Sequence, residues 1–276
     1  MMYSPTNVYY IITTQCNQRC SKCSHWRYED NIQRLPVIKF IRGIKSIPTL
    51  QGLCITGGEP LLFKNEIYDI LNGFSDIPMM TTIITNGVLM DKVFIENIIK
   101  HNIHIIVSID TIDEEFWKFV RGVDSYEKVL DNLECAVTLL SPTQISIQSV
   151  LSKETKPYLS AVSEYAVSRK IYHSIQNYIP EILDGSWTVI ENKQTSIHGN
   201  EQQCFSAGRN LTVWQNGEVY TCFQQTRIDD CQKPLGNLNE DEMVDILSSE
   251  YVLSVSEKMK SCNLSCKVLK CNTKEG

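Results

Sequence analysis

Along the first 180 residues, the pattern of apolar and polar positions alternates between a period typical of strands and a period typical of helices. Short runs of β-branched and aromatic residues, typical of buried strands, alternate with stretches in which apolar residues recur every three or four positions, as in amphipathic helices. The predicted strands are 7–13, 53–56, 81–85, 103–110, 145–150 and 171–179. The predicted helices are 35–47, 65–74, 91–100, 113–120, 126–140 and 157–169.

This alternation predicts an α/β fold that is built from βαβ units around a parallel sheet. Six such units fit either a partial (β/α)6 TIM-like barrel or an open Rossmann-like sheet, and the pattern alone does not separate them. In both architectures functional residues lie at the carboxyl ends of the strands. Cys16, Gly57, Asn86 and Asp110 all lie at or just after such ends, so we expect them to share one rim.

The character of the chain changes after residue 180. Residues 181–203 are polar and irregular, which is typical of a linker or a surface excursion. We therefore expect two domains, residues 1–180 and residues 181–276.

The second of these domains is predicted to contain a hairpin and a helix. Gln215-Asn216-Gly217 is a strong hairpin signal between the short apolar runs 211–214 and 219–222. One helix is predicted over 240–260, and residues 261–276 have no clear periodicity.

Composition and charge narrow the class of protein. The chain has 276 residues, a net charge of −6 and no basic run, so we expect no clustered Lys/Arg surface for nucleic acid. No apolar stretch reaches the roughly 18–20 residues that a membrane-spanning helix needs. Residues 1–13 lack the basic start and the small-residue cleavage site of a signal peptide. We expect a cytoplasmic protein without a membrane or nucleic-acid partner.

Eleven cysteines in such a chain need an explanation. Disulfides are rare in the cytosol, which favours metal binding or catalysis. Three cysteines lie within 16–23 and six within 204–271, whereas Cys54 and Cys135 stand alone. A single buried cysteine behaves as a small hydrophobic residue, so we expect Cys54 and Cys135 in the core.

The first group, Cys16, Cys20 and Cys23, has the spacing C-x3-C-x2-C. A cluster of four irons normally takes four thiolates, so three close cysteines without a fourth leave one iron open to a small molecule. Zinc is the alternative, but zinc sites usually combine two C-x2-C pairs or spaced histidines. His25 lies too close to Cys23 for that pairing.

This triad after the first strand, together with Gly57-Gly58-Glu59-Pro60 after the second, resembles the radical S-adenosylmethionine (radical SAM) superfamily. The resemblance implies a partial (β/α)6 barrel and a [4Fe–4S] cluster on the triad, whose open iron binds S-adenosylmethionine. It also implies an external electron donor such as flavodoxin or ferredoxin, and reductive cleavage to a 5′-deoxyadenosyl radical that abstracts hydrogen from the substrate. Lys22 departs from the pattern, since many members have an aromatic residue before the third cysteine.

The same resemblance implies roles for residues of the rim. Gly57, Gly58 and Glu59 would hold the amino group of S-adenosylmethionine, with the Glu59 carboxylate as an acceptor for the ammonium. Ser108 and Asp110 point to one face of their strand and could reach the ribose or the methionine carboxylate. Arg121 could pair with that carboxylate. The alternatives are a plain turn, a capping aspartate and a surface arginine.

The C-terminal cysteines resemble an auxiliary-cluster extension called SPASM, or its shorter relative called twitch. Cys204 and Cys222 are the first and last residues of the pattern C-x12-G-x4-C. The last three cysteines, Cys262, Cys266 and Cys271, have the spacing C-x3-C-x4-C. By this resemblance the number of cysteines implies one auxiliary iron–sulfur cluster, expected to be [4Fe–4S], which favours the twitch form. Four thiolates also suit a structural zinc ion. The candidate ligands are Cys204, Cys222, Cys262, Cys266 and Cys271, with Cys231 as an outside candidate.

These features lead to one main functional hypothesis and two alternatives. The main hypothesis is a radical SAM oxidoreductase that acts on a small molecule or peptide and completes an oxidation, with the auxiliary cluster as electron acceptor. The first alternative is a redox-neutral epimerase or a peptide-modifying enzyme, for which Cys231 could be the hydrogen donor. The second alternative is a metal-binding protein without enzymatic activity.

Overall fold

The computed structural model describes residues 2–28, 32–179, 185, 187–190, 204 and 206–262. Packing divides the chain into two units. The first unit comprises Met1–Ile11, Asn31–Cys54 and Glu191–Gly276, and the second comprises Ile12–Asp30 and Ile55–Ile190. This division differs from the expected boundary after residue 180, because strands β1 (Asn7–Thr13) and β2 (Gly52–Gly57) contribute residues to both units.

The second unit is built on strands that follow one another in sequence order. Its strand order is β6-β5-β4-β3-β2-β1, and β3 to β6 pair in parallel. An open Rossmann-like sheet reverses its strand order at a switch point, and this order has no reversal among the described strands. The four further strands are β3 (Met80–Thr85), β4 (Ile103–Ser108), β5 (Ile145–Leu151) and β6 (Tyr172–Asn177).

Helices cross between these strands, as right-handed βαβ connections require. Asp91 and Asp113 cap two of them, each through a side-chain oxygen that accepts a hydrogen bond from a main-chain N–H of the first turn. The helices are α2 (Lys64–Gly73), α3 (Lys92–Ile98), α4 (Glu114–Arg121), α5 (Tyr126–Leu139) and α6 (Leu159–Ser168).

In the first unit, three further strands follow β1 in the order β1-β7-β8-β9. Strand β7 (Asn210–Trp214) pairs in parallel with β1, then β8 (Glu218–Tyr220) and β9 (Gly236–Asn237) follow antiparallel. The turn between β7 and β8 has Gly217 at φ +87°, a conformation that glycine adopts without strain. The helices of this unit are α1 (Val37–Lys45), α7 (Met243–Ser248) and α8 (Glu250–Lys260).

Most predicted elements are confirmed to within a few residues, and two expectations are wrong. The single helix over 240–260 is two helices, because Ser249 has an extended backbone (ψ 144°) and its side chain caps α8 by accepting from Val252 N. Cys54 and Cys135 are only partly buried rather than core residues. No helix within the described ranges is long and apolar enough to cross a membrane.

Candidate functional site

The loop that carries the first three cysteines leaves β1 and runs along the end of α4. Arg19 N donates to Arg121 O at 2.9 Å, and Ser21 N donates to Val120 O at 3.1 Å. This close approach depends on Gly122, which ends α4 in the left-handed region (φ +65°). A Cβ at Gly122 would lie 2.4 Å from Arg19 O, so the Arg-Gly pair after α4 holds the cysteine loop in place.

Polar N–H groups surround the sulfur atoms of this loop. Cys16 Sγ accepts hydrogen bonds from Gln18 N at 3.4 Å and from Asn86 Nδ2 at 3.8 Å. Cys20 Sγ accepts from Arg121 Nη1 at 3.9 Å and donates to Gln18 Oε1 at 3.6 Å. Donors of this kind stabilise negative charge on sulfur and tune iron–sulfur clusters.

The three thiols interact with one another. Burial raises the pKa of Cys16 to about 12, and the neighbouring Cys20 and Cys23 add to the rise. Burial also raises the pKa of Cys23, with Cys20 as a further cause. Thiolates in one small volume need positive charge to be stable, which iron supplies when it binds and displaces the protons. The donor set therefore fits three ligands of an iron–sulfur cluster.

The described residues contain no group of three histidine, cysteine or acidic side chains arranged to hold a metal ion. The features of the triad that suit a cluster are its thiol chemistry and the N–H donors to Cys16 and Cys20.

The two glycines after β2 let this strand end pack against the start of the cysteine loop. Gly58 N donates to Thr13 O at 2.7 Å, and Glu59 N donates to Gln15 O at 2.8 Å. A Cβ at Gly57 would lie 2.2 Å from Thr13 O, and a Cβ at Gly58 would lie 2.1 Å from Gln15 O. These contacts are too short for any side chain, so both positions require glycine.

The Glu59 carboxylate has a structural role that the sequence did not indicate. The side chain is fully buried and accepts three hydrogen bonds, from Leu61 N at 3.0 Å, Thr85 Oγ1 at 2.7 Å and Asn86 N at 2.8 Å. Burial raises its pKa to about 7. The carboxylate joins the ends of β2 and β3, which does not favour the expected contact with a ligand ammonium.

Asp110 lies at the centre of a buried ion cluster. Its Oδ2 pairs with Lys22 Nζ and, at 2.9 Å, with Arg121 Nη2, while Val150 N donates to Oδ1 at 2.8 Å. Ser108 contributes its main-chain oxygen, which accepts from Arg121 Nη2 at 2.6 Å. Asp110 thus holds two cations of the protein, and the expectation that its carboxylate reaches the cofactor is not supported by this geometry.

The charges of this cluster depend on one another. Burial lowers the pKa of Lys22, and the Asp110 carboxylate opposes that shift. Burial acts to raise the pKa of Asp110, but Lys22 and Arg121 outweigh it and the pKa is lowered. For Arg121, burial acts to lower the pKa, and Asp110 with Cys20 outweighs it. Arg121 Nε is buried and has no hydrogen-bond partner in the part of the chain that the structure describes.

Trp187 covers the cysteine loop from a segment in which the sequence offered no motif. Its Nε1 donates to Ser21 Oγ at 2.8 Å, and Lys22 Nζ lies 5.0 Å from the centre of its ring. A Cβ at Gly185 would lie 2.0 Å from the main chain of Lys22. A tryptophan in an otherwise polar stretch was the one signal that could have indicated this contact.

Trp26 and Arg27 form a second aromatic contact of the loop. Trp26 Nε1 donates to Cys20 O at 3.4 Å, and the guanidinium groups of Arg19 and Arg27 lie 5.2 and 4.8 Å from the Trp26 ring centre. Guanidinium stacking on indole is favourable, so this arrangement stabilises the outer side of the loop.

In the first unit, Cys204 and Cys222 lie close to Tyr3. Burial raises the pKa of Tyr3, and interactions with Cys222 and Cys204 add to the rise. The Tyr3 hydroxyl donates to Asn210 O at 2.7 Å. The two cysteines that flank the β7–β8 hairpin therefore both interact with Tyr3.

Cys231 and Cys262 have different surroundings. Cys231 is fully buried, and the charged groups that interact with it are Lys258 and neighbouring aspartates. This burial does not favour the expected role of Cys231 as a hydrogen donor, which must reach the substrate. Cys262 follows α8 and its N–H donates to Met259 O at 3.2 Å. The predicted ligands Cys266 and Cys271 lie outside the described residues.

Comparison with protein families gives two matches. Residues 10–156, more than half of the chain, match the radical SAM superfamily. Residues 204–272 match SPASM, an iron–sulfur cluster-binding domain and one of the two forms that the cysteine pattern resembles. The two domains imply a [4Fe–4S] cluster and an auxiliary cluster.

Comparison with single proteins agrees with these matches. The probable GTP 3',8-cyclase of Archaeoglobus fulgidus is 33% identical over 150 residues, 51% of this chain and 48% of the relative. The match thus spans about half the length of that curated relative.

Two solved structures share the fold. SuiB of Streptococcus suis, bound to S-adenosylmethionine, has a TM-score of 0.76 at 15% identity. This match covers 95% of this chain and 72% of the SuiB chain. BtrN, in complex with S-adenosylmethionine and 2-DOIA, has a TM-score of 0.60 at 15% identity. This match covers 100% of this chain and 98% of the BtrN chain.

Proposed function

Because this chain belongs to the radical SAM superfamily, we propose that Cys16, Cys20 and Cys23 ligate the [4Fe–4S] cluster that binds S-adenosylmethionine. The observation that carries the proposal is the mutual interaction of the three thiols within a shell of N–H donors from Gln18, Asn86 and Arg121. When bound, the cluster and S-adenosylmethionine supply radical chemistry, in which one electron cleaves the sulfonium and the 5′-deoxyadenosyl radical takes hydrogen from the substrate.

The residues around the triad bind the anionic group of the cofactor, orient the side chain that binds it, and shield the cysteine loop from water. Gly57 and Gly58 bring the end of β2 against the cysteine loop. Arg121 Nε, which has no hydrogen-bond partner among the described residues, is available to an anionic group such as the methionine carboxylate. Ser108 and Asp110 fix the Arg121 guanidinium through its Nη2. Trp26 and Trp187 cover the loop and restrict water.

We assign Cys204, Cys222 and Cys262 to the auxiliary cluster, with Cys266 or Cys271 as the fourth ligand. Support comes from the family match over 204–272 and from the interaction of both Cys204 and Cys222 with Tyr3. Four protein ligands leave no open iron, so this cluster serves electron transfer or forms a wall of the substrate site. As an electron acceptor it would turn hydrogen abstraction into a two-electron oxidation.

The substrate is a small molecule or a peptide. The fold relatives include SuiB bound to its precursor peptide SuiA and BtrN bound to 2-DOIA, so the architecture accommodates both classes. A flavodoxin or ferredoxin is the proposed electron donor for the first cluster.

A redox-neutral outcome is the second candidate. Several curated relatives are named GTP 3',8-cyclases rather than oxidoreductases. Solvent deuterium separates the two outcomes once a substrate is found. Deuterium in a product of unchanged oxidation state supports the redox-neutral candidate, and a product that has lost two hydrogens supports the oxidation.

The test of the proposed activity needs no substrate. Protein that is reconstituted anaerobically with iron and sulfide, then reduced, is expected to cleave S-adenosylmethionine to 5′-deoxyadenosine and methionine. The Cys16→Ala, Cys20→Ala and Cys23→Ala variants are expected to produce neither. Absence of 5′-deoxyadenosine from the reconstituted wild-type protein would contradict the proposal, as would zinc in place of iron.

A further inference from the structure

Two cations and one carboxylate are buried together beside the cysteine loop. Lys22 is 7% exposed, Arg121 is 2% exposed and Asp110 is fully buried. Both cations contact the same oxygen, Asp110 Oδ2. Buried charges are normally paired, and here one carboxylate faces two cationic side chains.

Other titratable groups interact with this cluster. Burial lowers the pKa of the His173 imidazole, which favours its neutral form, and the nearby Asp110 carboxylate opposes that shift. Glu59 interacts with Arg121, but this is the smallest of the causes that act on the Glu59 carboxyl, and burial favours its protonated form. Among the described residues, the cysteine thiols are further acidic groups that interact with the two cations.

Both cations interact with the cysteine sulfurs. Arg121 Nη1 donates to Cys20 Sγ at 3.9 Å, and Lys22 interacts electrostatically with Cys20 and Cys23. Lys22 lies directly before Cys23 in sequence, yet its ammonium turns inward to Asp110 instead of outward to water. Interactions between charges are several times stronger in such an interior than at the surface.

The surroundings of Lys22 keep this charge in position and unscreened. The Trp187 ring lies over the ammonium at 5.0 Å, and its Nε1 is tied to Ser21 Oγ. The backbone at Gly185 packs against the Lys22 main chain. Mobile ions cannot enter a packed site of this kind, so salt screens the charge only weakly.

We propose that Lys22 raises the reduction potential of the [4Fe–4S] cluster on the triad by supplying a buried positive charge. The inference rests on the proposed function, because it needs that cluster. One-electron reduction adds one negative charge next to the Lys22 ammonium, and a fixed positive charge favours the more negative state. Net charge, hydrogen bonds to sulfur and solvent exposure are the protein's means of setting such potentials. Lys22 is thus a positioning residue that acts through charge.

The test is the midpoint potential of the first cluster, measured by anaerobic redox titration with electron paramagnetic resonance detection. Wild type is compared with Lys22→Met, which keeps the length but removes the charge, and with Lys22→Gln in case the methionine variant does not fold. Lys22→Arg keeps the charge. Lys64→Met is the matched control, because Lys64 pairs with the helix-capping Asp91 at 2.6 Å in the same unit and has no part in the proposed site.

The expected result is a more negative midpoint for Lys22→Met and Lys22→Gln at wild-type iron content, with values near wild type for Lys22→Arg and Lys64→Met. An unchanged midpoint in both uncharged variants would overturn the proposal, as would an equal shift in Lys64→Met. Loss of iron from both uncharged variants would also overturn the proposal, because it would show that Lys22 only holds the cysteine loop in place. Failure of the wild type to assemble a reducible cluster would instead overturn the proposed function.

Discussion

The two groups of cysteines are held in different ways. Cys16, Cys20 and Cys23 lie within eight residues of one loop, and hydrogen bonds to the sulfurs come from the loop itself and from the ends of β3 and α4. Cys204 and Cys222 lie on either side of a hairpin and both interact with Tyr3. The C-terminal group extends over 204–271.

This difference shows what each site depends on. The first site is a local motif that strand-end contacts make rigid, so it should be sensitive to single changes in those contacts. The second site is assembled from distant parts of the chain, so each supporting contact should matter less. Four predictions test this contrast, from the largest expected effect to the smallest.

Asp110→Asn should have the largest effect, because it leaves Lys22 and Arg121 buried without an anion. Removing one partner of a buried ion cluster costs about 3–5 kcal/mol of stability. Denaturant unfolding of the anaerobic protein measures this loss. The control is Asp91→Asn, whose partner Lys64 is partly exposed. Asn keeps the helix cap, so only an ion pair worth at most about 1 kcal/mol is lost. Equal losses in the two variants would contradict the role of Asp110.

Gly58→Ala should destabilise the first site by about 3 kcal/mol and lower its iron content, because the new Cβ meets Gln15 O at 2.1 Å. Gly208→Ala is the matched control in the other unit. Gly208 has φ +81°, and none of the described residues lies within 4 Å of the added Cβ, so backbone strain of about 1–2 kcal/mol is expected. A smaller loss of stability in Gly58→Ala than in Gly208→Ala would show that the contact between Gly58 and Gln15 O is not tight.

Glu59 should make the stability of the cofactor-free protein depend on pH. Its pKa is about 7 in the folded protein and close to 4.3 in an unfolded chain. The folded state therefore binds the proton more tightly, and this contribution is complete below about pH 4 and is lost as the pH rises through 7. Between about pH 5 and 7 the loss is about 2 kcal/mol. Glu59→Gln should flatten this slope in urea unfolding, and an unchanged slope would refute the assignment.

Tyr3→Phe should have the smallest effect. It removes the hydroxyl that donates to Asn210 O at 2.7 Å, which is worth about 1 kcal/mol, and it should leave the iron of the first cluster unchanged. Tyr220→Phe is the control, since the Tyr220 hydroxyl donates to the side chain of Glu218, two residues away on the same strand. Loss of iron from the first cluster in Tyr3→Phe would contradict the separation of the two sites.

The sequence predicted much of the fold because its strands and helices follow local periodicity. Strand β1 is confirmed at both ends, and Asp91 and Asp113 cap helices as side chains of this type do. The break at Ser249 was visible only as a capping serine followed by Glu250, a weak local signal inside a helical pattern. The parallel pairing of β7 with β1 involves residues about 200 positions apart, and no local pattern encodes it.

For the site, the sequence indicated which residues come together but not what each side chain contacts. The cysteine triad, the two glycines and Arg121 were found from spacing and resemblance. The Glu59 carboxylate turns to β3 and the Lys22 ammonium turns to Asp110. These orientations depend on tertiary packing and on burial of charge, which one-dimensional patterns do not contain.

The most direct measurement of the central claim compares 5′-deoxyadenosine formation and iron content in Cys20→Ala and Cys222→Ala. The account predicts that Cys20→Ala loses S-adenosylmethionine cleavage completely. Cys222→Ala should keep cleavage and about half of the iron, since each cluster of four irons depends on its own cysteines. Equal loss of cleavage in both variants would contradict the account of one loop that cleaves S-adenosylmethionine and a second, separate iron–sulfur site.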